Sequence, residues 1–169
     1  MITEKRKSYF SGDTIYISEK RTAGEVFKEV ALDLQSKGLV KEAFLENLLI
    51  REKEFPTGMD LSVIDPALPN IAIPHTESSF VNCTGIVPIK LTHPISFQNM
   101  IKPDEQVNAS FLFMILNENG AQQTGMLADI MDFINRTPKD SLIDFFNQTN
   151  TKEIADYLEK NFKGENKND

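Results

Sequence analysis

The chain has 169 residues, a formal net charge of −7, and charged and hydrophobic fractions of 25% and 40%. That length suits one domain with a full core, and the acidity argues against nucleic acid or an anionic membrane as partner. A single cysteine excludes a disulfide framework and a paired-thiol metal site, and no apolar run approaches the length that crosses a bilayer.

The chain begins with a polar stretch. Lys5-Arg6-Lys7 is not followed by an apolar run, so no secretory signal is read there and a cytoplasmic location is expected. Thr14–Ile17 reads as a first strand. Thr22 and Glu25 have capping-box spacing, in which the Thr side chain and the Glu carboxylate each accept from a free backbone N–H. Val26, Phe27, Val30, Ala31 and Leu34 follow as one apolar helix face, and Gly38 suits a left-handed stop. A second helix is expected from about Lys41, with Phe44, Leu45, Leu48 and Leu49 as its buried stripe.

Phe55-Pro-Thr-Gly58 is a turn, and the stretch from Asp60 to Pro69 is a loop. Ile71, Ala72 and Ile73 form a short buried strand. Pro74 has no N–H for the ladder, so pairing should stop there, and His75 stands where the strand leaves the sheet. Gly85–Leu91 is a strand in which Pro88 marks an edge or a bulge. Thr92-His-Pro94 is a connection and Ile95–Phe97 a short strand. Ser110–Leu116 is the most continuous apolar run, expected to be the central strand with both faces buried.

Helices then dominate. Met126, Leu127, Ile130, Met131 and Ile134 share one face. Thr137 and Pro138 are placed as the N-cap and first residue of the next helix, packed by Leu142, Phe145 and Phe146. Asn150 and Glu153 cap a last helix carrying Ile154, Tyr157 and Leu158, and Gly164–Asp169 is a polar tail. The order is strand, two helices, a run of strands, then helices. It specifies a three-layer α/β/α sandwich with a mixed parallel/antiparallel sheet flanked by helices. Residues 1–169 read as a single domain, with an ordered core of about 14–162.

Several chemistries are excluded. There is no G-x-G-x-x-G, P-loop or G-x-S-x-G elbow. Two histidines and one cysteine without close spacing make a poor zinc set, and no metal or other cofactor is expected. A nucleophilic pair of Cys83 with His75 or His93 is disfavoured, because free Cys is usually a small buried hydrophobe. On placement alone His75 reads either as a turn residue or as a nucleophile. As a nucleophile, its neutral imidazole can attack phosphorus and hold a phosphoryl group covalently. That chemistry needs donors for the phosphoryl oxygens, and Arg51, Thr57, Thr76 and a side-chain amide are candidates.

Arg51-Glu52, then Phe55-Pro-Thr-Gly58, then Ile71-Ala-Ile-Pro-His75 resembles the enzyme IIA domains of the bacterial sugar phosphotransferase system, fructose/mannitol type. The resemblance extends over about Ile17 to Phe162. Ile95-Ser-Phe-Gln98 and Gln122-Gln123 make the galactitol-type members the nearest in kind. It implies that His75 accepts phosphate on Nε2 from the phosphocarrier protein HPr and donates it to a cysteine of enzyme IIB. The membrane component IIC would be engaged only indirectly. Arg51 matches the family arginine that holds the phosphate. Mannitol-type members carry a second histidine where Gln123 stands here, so an amide replaces an imidazole that can be charged. An apolar rim of Phe55, Ile73 and Phe80 is expected to dock the partners. The alternative is a regulatory IIA-like module, phosphorylated on His75 with no onward transfer to sugar.

Overall fold

A computed structural model of the chain describes residues 8–163. The basic cluster near the start and the polar tail lie outside the described residues. Among those described, no helix is long and apolar enough to cross a membrane.

Five strands form one sheet: β1 (Tyr16–Ser18), β2 (Gly58–Met59), β3 (Asn70–Ala72), β4 (Gly85–Gln98) and β5 (Gln106–Leu116), in the order β1-β4-β5-β3-β2. β1 with β4 and β3 with β5 are parallel; β4 with β5 and β2 with β3 are antiparallel. The sheet is therefore mixed, as the element order requires, and β5 is central.

Side-chain alternation along β5 divides the interior. Leu112, Met114 and Leu116 face one way, into a core with α1 (Ala23–Ser36) and α2 (Phe44–Glu54). Phe111, Phe113 and Ile115 face the other way. They meet α3 (Gln123–Arg136), α4 (Lys139–Phe146) and α5 (Thr151–Asn161). Helices thus cover both faces, and the three-layer architecture holds. On the second face Phe111 packs at ring distances of 4.9 Å from Phe113 and 5.3 Å from Phe145. Each such burial contributes about 1.5–3 kcal/mol.

The helix-face expectations hold for α1, whose buried residues are Val26, Phe27, Val30, Ala31 and Leu34. Gly38 has φ +75°, the left-handed stop. Thr22 accepts from the Glu25 N–H, but the Glu25 carboxylate accepts from the Thr22 hydroxyl, so the capping box closes through side chains.

Several local expectations are corrected. The first strand starts at Tyr16 rather than Thr14. In α2 only Phe44 and Leu48 are fully buried; Leu49 is 42% exposed, because the helix lies against one layer only. Thr92-His-Pro94 is no separate connection but a bulge inside one long β4, where the register shifts between Lys90 and Ile95. Pro88 lies in an interior strand, yet β1 pairs only from Ile89 onward, so β4 is locally an edge there. Thr137 ends α3, its hydroxyl donating to the Phe133 carbonyl, and Pro138 takes the cap position of α4.

Gly58 belongs to β2 rather than to a turn. A Cβ there would sit 2.6 Å from Val107 Cγ2 and 2.7 Å from the Gln98 carbonyl oxygen. Gly58→Ala is expected to destabilise the fold by about 1–3 kcal/mol in urea unfolding. Gly125→Ala, with open space around the added methyl, is expected to be neutral or to stabilise by up to about 1 kcal/mol.

Candidate functional site

His75 stands just past the end of β3, and the backbone around it is held from both sides. The Ile73 N–H donates to both the Thr57 carbonyl and the Thr57 hydroxyl oxygen, at 3.2 Å each. On the other side the Pro74 carbonyl accepts from the Ile115 N–H at 3.0 Å, and His75 bridges to Ile115 in parallel. Pairing was expected to stop at Pro74. It continues because proline lacks a donor but keeps its acceptor.

The imidazole lies 3.0 Å from the Ile73 carbonyl through Nδ1. A carbonyl only accepts, so Nδ1 carries the proton and Nε2 keeps its lone pair. Burial holds the His75 pKa below its ordinary 6.5; the Ile73 hydrogen bond pulls it upward, and the nearby Arg51 charge lowers it further. The ring is therefore neutral at pH 7.

Arg51 leaves the last turn of α2 toward this segment. Its Nη1 is 3.7 Å from a Glu77 carboxylate oxygen, and its guanidinium lies 4.5 Å over the Phe55 ring. Among the described residues its buried Nε finds no hydrogen-bond partner. The Glu77 pair is long and half in water, so it satisfies the guanidinium weakly. A cation with unspent donors beside a neutral imidazole is prepared for an added anion. α2 also holds the segment after His75, because Asn47 Oδ1 accepts from the Glu77 N–H at 3.1 Å.

Thr57 is 3% exposed. Its hydroxyl donates to Glu52 Oε1 and its N–H to Glu52 Oε2, both at 2.8 Å. Thr57 therefore supports the strand end rather than facing an incoming group. Thr76 is also buried, its hydroxyl donating to the Glu77 carbonyl at 2.9 Å. Gln123 opens α3, and its Oε1 lies 3.4 Å from Asn117 Nδ2, just beyond the end of β5. Gly120, at the entry to α3, faces the Ser78 hydroxyl. The start of α3 is thereby brought to the loop that follows His75. His93 sits in the β4 bulge, and Cys83 precedes β4 with its thiol pushed up in pKa by burial. Of the expected rim, Phe55 is 56% exposed and Phe80 partly buried, but Ile73 is wholly buried and cannot dock a partner.

Three features had no assigned role in the sequence. The Ile73 carbonyl is backbone and leaves no sequence signature. Asn117 is a buried amide whose signal is that it ends the apolar run of β5. Glu52 is pushed up to about 7, chiefly by burial, while its two hydrogen bonds from Thr57 act against that. Its signal was its position beside Arg51 and five residues before Thr57. Among the described residues, no three His, Cys, Asp or Glu side chains cluster to hold a metal ion.

Residues 8–161 match the family described as phosphoenolpyruvate-dependent sugar phosphotransferase system, EIIA 2. The chain is 28% identical over 141 residues to the PTS system galactitol-specific EIIA component of Escherichia coli strain K12, covering 78% of this chain and 87% of that protein. Solved structures that share the fold include two of mannitol-type IIA proteins. One is enzyme IIAMTL in complex with phosphorylated enzyme IIBMTL from Escherichia coli, with TM-score 0.66 and 20% identity over 89% of this chain and 97% of that one. The other is the crystal structure of IIA mannitol from Escherichia coli, with TM-score 0.65 and 18% identity over 88% and 98%.

The usual order of titration is inverted here. By NMR titration, His75 is expected to change charge below pH 6.5, while Glu52 titrates near 7. For His75, the unfolded chain binds a proton first as pH falls through 6.5, so its contribution to stability is lost below that pH. For Glu52, the folded chain holds the proton longer, so its contribution falls as pH rises between 4.5 and about 7. The stability difference between wild type and His75→Gln should therefore shift against wild type below pH 6.5. That between wild type and Glu52→Gln should shift against wild type as pH rises to 7.

Proposed function

Because this chain belongs to the EIIA 2 family of the phosphoenolpyruvate-dependent sugar phosphotransferase system, we propose that His75 is its phosphate-carrying residue. As a member of that family it is a phosphotransferase that works through a phosphohistidine. We read residues 1–169 as one domain of this kind, working in the cytoplasm. The donor is phosphorylated HPr and the acceptor a cysteine of enzyme IIB, with IIC reached only through IIB. The sugar is galactitol or a related polyol, in keeping with the galactitol-specific relative. A complex with phosphorylated enzyme IIBMTL in a relative of the same fold supports an enzyme IIB as partner.

The observation that carries this reading is the pairing of a neutral imidazole with an under-satisfied guanidinium. Nδ1–H is donated to the Ile73 carbonyl, so the Nε2 lone pair is available for attack. In the first step Nε2 bonds to phosphorus as the N–P bond on HPr breaks, and the donor histidine keeps the electron pair. The His75 ring becomes cationic, and the Ile73 carbonyl dipole at Nδ1 stabilises that charge. In the second step a thiolate of IIB bonds to phosphorus, the N–P bond on His75 breaks, and the neutral imidazole returns. The reaction needs little beyond in-line positioning and charge stabilisation.

Arg51 takes the phosphoryl oxygens with its free donors, exchanging the loose Glu77 contact for a charge-assisted one. Gln123 stands at the first residue of α3, where its amide and the helix start favour an anion. Thr76, its hydroxyl spent on the Glu77 carbonyl, holds the loop beside His75. Thr57 acts from beneath the site, by holding Ile73.

Incubation with phosphoenolpyruvate, enzyme I and HPr should add one phosphate by intact mass, acid-labile and absent from His75→Ala but present in His93→Ala. A galactitol-type IIB should then discharge it. Arg51→Lys is expected to slow phosphorylation by about 10²-fold, because lysine has no planar fork. No label on the wild type would overturn the assignment. Label that no IIB discharges would favour a regulatory module.

A further inference from the structure

While its consequence for phosphoryl transfer rests on the phosphocarrier reading, the geometry points to Glu52 as a positioning residue that keeps the Ile73 carbonyl against His75 Nδ1, and so the proton on that nitrogen, acting through Thr57 and the Ile73 backbone. Both Glu52 oxygens are committed to one residue, at 2.8 Å to the Thr57 N–H and 2.8 Å to its hydroxyl. An ionised carboxylate only accepts. The Thr57 hydroxyl proton must therefore point at Glu52, which turns the oxygen's lone pairs toward the Ile73 N–H. Ile73 is the residue whose carbonyl meets His75 Nδ1.

The relay runs from α2 to the ring in three hydrogen-bonded steps, and its direction is set at Glu52. On the far side the segment is tethered to β5, through the ladder at Ile71 and Ala72 and the Ile115 N–H on the Pro74 carbonyl. Glu52 touches neither His75 nor an incoming group, so its effect on the ring is transmitted and not direct. Burying a carboxylate on one threonine costs solvation that its two hydrogen bonds only partly offset, and what those bonds do is hold that threonine in one orientation.

An amide at position 52 reverses one contact. Its oxygen still accepts from the Thr57 N–H, but its NH2 then faces the Thr57 oxygen as a second donor and competes with the Ile73 N–H. Thr57→Val keeps the shape and removes the hydroxyl altogether. Either change leaves the Ile73 N–H to the Thr57 carbonyl alone, which loosens Ile73, lets the His75 proton populate Nε2, and so removes the reactive lone pair from part of the molecules.

The test uses the full chain, labelled with 15N, and long-range 1H–15N correlations of the His75 ring at pH 8, where Glu52 is ionised. The wild type and Thr57→Ser, which keeps the hydroxyl, should show the proton on Nδ1. Glu52→Gln and Thr57→Val should show a substantial Nε2–H share, with phosphorylation by phosphorylated HPr slowed about tenfold and thermal melting still cooperative. If one of these two fails to fold, the other carries the test. A folded Glu52→Gln or Thr57→Val with the wild-type tautomer overturns the inference. The tautomer is read without any phosphate donor. A wild type that accepts no phosphate would therefore overturn the phosphocarrier reading, while the tautomer result alone decides this one.

Discussion

The hydrogen bond from His75 Nδ1 to the Ile73 carbonyl is the contact on which the site depends. Donor and acceptor lie two positions apart in the chain, and a single proline stands between them. That proline restricts the backbone of Ile73 to extended conformations and fixes its own φ. The ring is thus locked against its own strand end by local geometry, and the tautomer follows from the fact that a carbonyl cannot donate. A neutral imidazole with a free Nε2 is a nucleophile, whereas a charged one is not. Burial, which lowers the affinity of the ring for a second proton, completes the requirement.

This local lock works only because the strand end itself cannot move. Ile71 and Ile73 enter the core beneath α3, α4 and α5, while Ala72 enters the core beneath α1 and α2. One strand of three residues is therefore gripped by both layers. Thr57 and Ile115 then pin the chain on either side of Pro74. The glycine at 58 has a cause of the same kind: neighbouring segments come close enough that a larger side chain would displace them. Beside this fixed segment Arg51 keeps donors unspent, and Phe55 gives the guanidinium a flat surface to rest on.

Much of this was legible in the sequence. The helix face of α1 follows from spacing, since a 3.6-residue period is visible without tertiary knowledge; on α3 the same spacing finds Met126, Ile130 and Ile134, but Leu127 and Met131 are only partly buried and the buried Phe133 is missed. The central strand follows from an unbroken apolar run, and Ile-Ala-Ile-Pro-His marks the strand end by the proline. Long-range register was not legible. Thr92-His-Pro94 reads as a connection because its composition is that of a loop, yet the β4–β5 pairing is long enough to carry it as a bulge. Leu49 reads as buried from spacing, but α2 is covered on one side only. In the site, His75 and Arg51 stand out by type and position. Thr57 reads as a turn residue with a free hydroxyl, and only the fold shows that Glu52 and Ile73 occupy it. Roles performed by backbone carbonyls, or by one side chain through another, have no residue pattern from which to be read.

The central claim is that Nε2 of His75 is the atom that carries phosphate while Nδ1 stays on the Ile73 carbonyl. The most direct measurement is 15N and 31P NMR of the phosphorylated, 15N-labelled chain, correlating phosphorus with the ring nitrogens. A phosphorus coupling to Nε2, with Nδ1 still protonated and hydrogen-bonded, is the predicted result. Phosphate on Nδ1, or on any residue other than His75, would contradict it, because the bond that organises the site would then have to be broken for the site to work.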